Sequence, residues 1–442
     1  MALSGLDIYK LLPKTNCRDC GFATCLAFAM QLAKKAAAIE KCPHIKPEAK
    51  LALEVSAQPP VKLVSIGLGE EKLDIGNETV LFRHEEKFRN PCGIGFIIED
   101  SLSDAEIKNR LAKINKFKFE RVGQEIKVNL VAIKQSKDKN RFVEAAKLVS
   151  LNTKFGIVLM SEDLTALEEA LKIIAGFKPL IYRATEKNIA QTAKLAKDFN
   201  CPLVVSASQL ETLANLVKEA SSLGAAEIIL DTGIKPVSQK ISDLTQIRRQ
   251  ALKKNNRLFG YPVLAIADSN DPYEEAMLAA TYISKYAGIV LIKGANEADV
   301  ISILTLRQNI YTDPQKPLQI EPKLYPIGAV TKNSPVLVTT NFSLSYYTVL
   351  GEVEASKVPS YILGIDTEGM SVLTAWAAEK FTPDKISQSL DQFNVADTVG
   401  HKNLIIPGYV AMMSGDLEEK SGWKIIVGPK EAAGIPSFLK NL

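Results

Sequence analysis

Four thiols stand close together at one end of this sequence: Cys17, Cys20, Cys25 and Cys42, with Pro43 directly after the last. Clustered thiols in a reducing compartment more often bind metal than form a disulfide framework. Four thiolates suit tetrahedral zinc or an iron–sulfur cluster. Structural zinc usually takes paired Cys-x-x-Cys knuckles, whereas here the second gap is longer and the fourth cysteine is remote and followed by proline. That pattern favours a 4Fe-4S cluster, with zinc and unligated thiols as the alternatives. Gly21, after Cys20, would let backbone amides approach the sulfurs closely. Cys92 and Cys201 have no partner at ligand spacing and read as buried thiols.

The elements that must hold these thiols follow from propensity and reach. Residues 24–39 are strong helix formers, with Leu26, Met30, Ala33 and Ala37 on one face. A straight helix of that length would span about 24 Å. Cys25 and Cys42 can share one cluster only if the chain turns back between about Lys34 and Glu40. The segment 1–58 carries eight basic against five acidic residues, a charge that fits an anionic cluster, an electron-donor docking face or an ordinary solvated surface.

The whole chain has 442 residues, 46% hydrophobic and 24% charged, which excludes disordered and fibrous classes and predicts about three domains. Its formal charge of +4 argues for neither nucleic acid nor membrane. No apolar run reaches transmembrane length and no export signal is visible, so a soluble, cytoplasmic protein is expected. Proline-rich stretches at Pro43–Lys62 and Thr312–Gly328 read as linkers. They cut the chain into 1–58, 59–325 and 326–442.

In the middle segment, short apolar runs alternate with amphipathic stretches such as Thr165–Ile174, Gln209–Ser222 and Asp271–Lys285. The runs are Gly95–Ile98, Val128–Ile133, Ile157–Met160, Leu180–Tyr182, Leu203–Val205, Glu227–Leu230, Val263–Ile266 and Ile289–Ile292. Eight such units predict an α/β fold with a central (β/α)8 TIM barrel. Leu63–Leu68 and Thr79–His84, around Gly76-Asn77, read as a hairpin at its entrance. Polar residues after the strands (Glu99, Asp100, Lys134, Glu162, Arg183, Ser206, Asp231, Asp268, Lys293) would crowd the barrel mouth, yet form no metal-ligand or nucleophile–base pair.

The last segment repeats the rhythm on a smaller scale, with strands at Val336–Thr339, Tyr361–Ile365, Asn403–Ile406 and Lys424–Val427. Helices are expected at Ser343–Ala355, Ser371–Lys380, Pro383–Phe393 and Tyr409–Glu419. This predicts a doubly wound, Rossmann-like domain with its ligand at the carboxyl ends of the strands. It has no arginine, nine lysines against twelve acids, and no Gly-rich phosphate turn after its first strand. Those features favour a large ligand of low charge over a polyphosphate. Trp376 and Trp423, the two tryptophans, read as core residues.

At this point the residues resemble a family: the large (gamma) subunit of the corrinoid/iron–sulfur protein of the anaerobic acetyl-CoA pathway. The resemblance rests on Asn16-Cys17-Arg18-Asp19-Cys20-Gly21-Phe22-Ala23-Thr24-Cys25 with Cys42-Pro43. It rests equally on Val338-Thr339-Thr340-Asn341-Phe342-Ser343 and on Gly364-Ile365-Asp366-Thr367-Glu368-Gly369-Met370-Ser371-Val372-Leu373-Thr374. It implies a heterodimer with a small corrinoid/iron–sulfur protein subunit and a cobamide bound by the C-terminal domain. Its Co(I) would accept a methyl group from methyltetrahydrofolate through a separate corrinoid methyltransferase. Delivery would be to the nickel cluster of carbon monoxide dehydrogenase/acetyl-CoA synthase. The 4Fe-4S cluster at Cys17, Cys20, Cys25 and Cys42, with a reductive activator protein as a further partner, would reactivate Co(II). Whether such a methyl carrier counts as an enzyme is left open.

The resemblance also implies cobamide contacts from Thr340, Asn341, Tyr346, Gly369, Met370, Ser371, Val372, Leu373, Thr374, Gly408 and Ala433, with Thr374 nearest cobalt. Only three histidines exist, His44, His84 and His401, and no Asp-x-His-x-x-Gly pattern occurs. His401 precedes a strand, away from the ligand side, so a base-off cobamide with no histidine ligand is expected. The linker Pro43–Lys62 would let the cluster domain swing between poses. Two other classes compete: an iron–sulfur oxidoreductase with its active site in the barrel, and a non-catalytic iron–sulfur scaffold. The missing dinucleotide fingerprint weighs against the first and the hydroxyl-rich C-terminal loops against the second.

Overall fold

A computed structural model describes residues 5–34, 36–47, 49–50, 53, 59–294 and 296–442. The chain folds into two compact units. One is the chain up to Lys118 with Lys127–Tyr311; the other is Phe119–Ile126 with Thr312–Leu442. The linker expected over Pro43–Lys62 lies partly outside the described residues.

In the first unit, helix Gly5–Leu11 packs beside helix Cys25–Ala33. The second helix starts where Thr24 takes extended backbone and its side chain accepts the Ala27 N–H at 3.1 Å. It ends at Ala33, well before Ile39, although the alanines that follow are good helix formers. A short 3-10 turn at Ile39–Lys41 then leads Cys42 back into the apolar cluster that holds Cys25, Phe28 and Ile8. Tertiary burial of Cys42 has overridden propensity. The face also differs from expectation: Leu26 and Met30 are exposed, while Cys25, Phe28 and Ala29 are buried.

The barrel follows. Strands β1 (Val64–Ile66) and β2 (Leu73–Ile75) form an antiparallel hairpin. The expected second arm, Thr79–His84, is not a strand; the chain turns earlier, through Gly67 and Gly69, both at positive φ. The hairpin's Val64, Ile66, Leu73 and Ile75 pack with Leu130, Leu180, Leu264 and Ile289, which stand at the amino ends of the barrel strands. It thus closes the end opposite the mouth.

Eight parallel strands make the barrel: β3 (Gly93–Glu99), β6 (Leu130–Lys134), β7 (Gly156–Met160), β8 (Leu180–Ala184), β9 (Leu203–Ser206), β10 (Ile228–Asp231), β11 (Leu264–Ile266) and β12 (Ile289–Ile292). Their order is β10-β9-β8-β7-β6-β3-β12-β11, and a parallel bridge from Leu230 to Val263 nearly closes the ring. The strands are buried almost throughout, which is why they read as unbroken apolar runs.

The second unit begins with an insertion from between barrel strands: β4 (Lys118–Arg121) and β5 (Gln124–Lys127), joined by Val122 and Gly123, both at positive φ. Its main sheet is ordered β13-β15-β14-β16-β17. The strands are β13 (Leu324–Ile327), β14 (Val336–Thr340), β15 (Ser360–Ile365), β16 (Asn403–Ile406) and β17 (Lys424–Val427). β13 runs antiparallel on the edge and the other four are parallel. Its Pro326 is tolerated there because an edge strand has one unpaired side, so part of the expected linker is sheet. Val336 and Val338 face one apolar cluster and Leu337 the other, so both faces are covered. No helix among the described residues is long and apolar enough to cross a membrane.

Candidate functional site

The cysteine loop is built from unusual backbone. Lys14, Asn16, Arg18 and Gly21 all have positive φ within eight residues. A Cβ on Gly21 would meet nothing within 4 Å, so glycine serves its φ of +82° rather than a close approach. The Asn16 side chain accepts the Cys25 N–H at 2.8 Å, and the Asn16 N–H donates to Cys25 Sγ at 3.4 Å. Asp19 Oδ2 meets His44 Nε2 at 2.5 Å, tying the Cys17–Cys20 loop to the Cys42-Pro43-His44 end. Hydrogen bonds from His44, and then from Cys17, hold the Asp19 carboxyl below the usual range.

Cys25 and Cys42 are buried among apolar side chains, Cys20 is half-buried and Cys17 is exposed. All are free thiols. No three of the four gather within 4.8 Å of one another; Cys17 does so with Asp19 and His44 instead. Cys20, Cys25 and Cys42 meet in one apolar cluster, with a backbone N–H aimed at the Cys25 sulfur, a donor set that suits a thiolate-ligated group.

The second unit has a cavity of about 300 Å³ at the carboxyl ends of β14 and β16. Chain order reverses there, since β15 follows β14 on one side of the sheet and β16 lies on the other. Val338, Thr339, Ile405 and Ile406 form its base, with Phe342, Ser345 and Thr348 on one wall and Pro407 and Tyr409 on another.

Of the residues singled out in the sequence, Ser371 and Val372 line this cavity. Thr340 Oγ1 and Ser343 Oγ, beside it in sequence, are buried without a hydrogen-bond partner. Asn341 is fully engaged: its amide nitrogen donates to Gln319 and Asp366, and its oxygen accepts from Thr367 and Gly369. It shapes the loop and has no atom to spare. Gly369 has φ +75°, and a Cβ there would stand 2.7 Å from the Gln319 side chain. Gly408 lets the Pro429-Lys430 backbone pass; its Cβ would lie 2.5 Å from the Gly428 carbonyl oxygen.

The rest lie off the cavity wall. Tyr346 packs at a tilt of 47° against Tyr325 with ring centres 4.6 Å apart, and Met370 packs against the core of the other face. Burial raises the Tyr346 phenol, followed by the field of Tyr325. Leu373, Thr374 and Ala433 are exposed. The Thr374 hydroxyl meets Ser371 Oγ at 2.9 Å. Trp423 is a core residue, whereas Trp376 is 39% exposed, contrary to expectation. His401 Nε2 meets the Ser334 carbonyl at 3.1 Å and its Nδ1 accepts the Asn403 N–H at 3.2 Å, both at the amino ends of strands.

The barrel mouth is polar but mostly self-paired. Asp231, 1% exposed, accepts from Tyr182, Ser206, Gly233 and Lys240. Burial, and then Asp231, raises the Tyr182 phenol. Glu99 pairs with Lys134, Glu162 with Arg183 and Asp268 with Lys293. These strand-end residues answer one another, which the sequence alone did not show.

Comparison with known proteins matches residues 63–439 to the family described as CO dehydrogenase/acetyl-CoA synthase delta subunit. Residues 12–44 match a second family, described as an Fe-S cluster segment. A corrinoid/iron-sulfur protein large subunit of Moorella thermoacetica is 44% identical over 100% of this chain and 99% of its own. The acetyl-CoA decarbonylase/synthase complex subunit gamma of Methanothermobacter thermautotrophicus is 36% identical over the same shares. That of Methanocaldococcus jannaschii is 34% identical over 99% of this chain and 96% of its own. The chain belongs to the corrinoid/iron–sulfur protein large-subunit family.

Within this family member, the Fe-S segment match spans all four cysteines of the loop described above. The cavity-lining Thr339, Phe342, Ser345, Thr348 and Tyr409 were missed in the sequence. A signal for them existed: each stands at or just past the end of β14 or β16, or on the first turns of the helix Ser343–Ser356.

Proposed function

We propose that this family member is the methyl-carrying subunit of a corrinoid/iron–sulfur protein, with a 4Fe-4S cluster on Cys17, Cys20, Cys25 and Cys42 and a base-off cobamide in the second unit. The observation that carries this reading is that one chain holds both a thiol loop and a largely apolar strand-end cavity. The corrinoid would supply the methyl-accepting metal and the cluster single electrons, with the protein contributing binding, orientation and electronics.

The chain's own residues have separate tasks. Asn16 orients Cys25 and donates to its sulfur, while the Asp19–His44 contact ties the Cys17–Cys20 loop to the segment that follows Cys42. Thr340 and Ser343 offer donors with no internal partner, so a polar ligand group placed there removes a desolvation cost. Leu373, Trp376, Tyr409 and Met412 are large exposed apolar side chains that a cofactor or a small partner subunit would cover. His401 is held by backbone at the opposite strand ends, which supports a cobamide with no histidine ligand. Proposed partners are the small subunit, a methyltetrahydrofolate:corrinoid methyltransferase, carbon monoxide dehydrogenase/acetyl-CoA synthase and a reductive activator.

Metal analysis of anaerobically purified heterodimer tests the reading, with about four irons and one cobalt expected. Iron without cobalt would remove it and return the barrel oxidoreductase to consideration. A nitrogen superhyperfine pattern in the Co(II) EPR spectrum would refute the base-off assignment alone.

A further inference from the structure

At the carboxyl ends of β3, β11 and β12 the barrel opens on a cavity of about 360 Å³. Ile97, Leu102 and Pro272 give it apolar walls, and Glu99, Arg110 and Lys293 give it charge. Three of the four charged side chains there are already engaged. Glu99 pairs with Lys134 at 3.0 Å, and Lys293 with Asp268. Glu275, 4% exposed, accepts the N–H groups of Lys293 at 2.6 Å and Gly294 at 2.8 Å.

Arg110 is the exception. It projects from the helix Asp104–Ile114, is half-buried and has no carboxylate within ion-pair distance among the described residues. One Nη donates to the Lys293 carbonyl, and Nε is buried with no partner. Burial holds the guanidinium below the usual arginine range, against the opposing fields of Glu275 and Glu99. A desolvated guanidinium with an unmet donor is costly, and its planar fork matches a carboxylate in two parallel hydrogen bonds. Inorganic phosphate would meet the charge but leave the apolar walls bare. Small-molecule sites combine such walls with a few convergent polar groups, and barrel mouths are where they form.

We propose that this cavity binds a small organic carboxylate, its carboxylate on Arg110 and its apolar body against Ile97, Leu102 and Pro272. The site shares no residue with either cofactor region. The test is calorimetry and saturation-transfer NMR on the full chain with its partner subunit, using benzoate and, separately, inorganic phosphate as probes. Benzoate is expected to bind, with the affinity weakened roughly tenfold or more in Arg110→Gln and partly retained in Arg110→Lys, which keeps charge but loses the fork. Benzoate binding that both variants leave unchanged overturns the assignment to Arg110. Phosphate binding without benzoate overturns the ligand class, and no binding of either at millimolar concentration overturns the site. If Arg110→Gln does not fold, the Arg110→Lys comparison decides between the same outcomes.

Discussion

On the proposed reading, the cysteine loop and the strand-end cavity of the second unit would hold their cofactors in opposite ways. The loop commits named side chains: four thiols on short elements, with Asn16 and the Asp19–His44 contact fixing their geometry. The cavity commits almost none: its lining is largely apolar, and the unpaired hydroxyls of Thr340 and Ser343 are neighbours in sequence of its lining residues Thr339, Phe342 and Leu344. A ligand-built site depends on residue type and fails when one ligand is lost. A shape-built site depends on how loops pass one another and fails when backbone must move.

The largest test of that contrast is Cys42→Ser. Near-complete loss of cluster iron is expected with cobalt content unchanged, measured by metal analysis of the heterodimer; joint loss of both metals would break the comparison. Asn341→Ala comes next. It strips acceptors from the buried N–H groups of Thr367 and Gly369, so denaturant unfolding of the second unit should show a cost of roughly 3 kcal/mol. Corrinoid content should fall while iron stays.

Gly408→Ala should cost about 2 kcal/mol, because its Cβ meets the Gly428 carbonyl and the Lys430 N–H, and should lower corrinoid occupancy through shape alone. Thr340→Val sharpens the point in the other direction. Removing an unpaired buried hydroxyl should leave the corrinoid-free protein as stable or about 1 kcal/mol more so, while weakening corrinoid retention. Unchanged retention would show that the hydroxyl is not there for the cofactor.

The smallest effect compares thiols. Burial pushes Cys92 and Cys201 up to about 12, so both stay protonated in the fold. In metal-free protein at about pH 8.5, mass spectrometry should find Cys17, the exposed thiol, alkylated first and Cys92 last. Because the fold keeps these protons while an unfolded thiol ionises near pH 9, the stability contributed by both falls as pH rises from about 9 towards 12.

Legibility followed the same contrast. The parallel strands of both sheets were readable because burial on both faces leaves apolar runs; Ile289–Ile292 of the barrel and Asn403–Ile406 of the second unit match to the residue. The hairpin Lys118–Lys127 was not, being charged and only partly buried, with only Gly123 as a turn signal. β13 was hidden by prolines that an edge strand accepts. The buried face of the helix Cys25–Ala33 was misread because Leu26 and Met30 look like core, yet the cluster of thiols took the inner side. The resemblance places its cobamide contacts on strand-end loops, and the structure adds that Asn341 and Gly408 also hold those loops in place.

By itself the sequence offered the candidate donors and most of the parallel strands. Ligand identity is a property of single residues, and strand burial is written in runs of neighbours. Only the tertiary structure decided that helix Cys25–Ala33 stops short so Cys42 can return, and that β14 lies beside β16 with Leu337 opposite Ile405. It alone decided which buried hydroxyls are left without a hydrogen-bond partner. Those outcomes depend on pairings between residues far apart in the chain, where burial outweighs local propensity and no local pattern records the result.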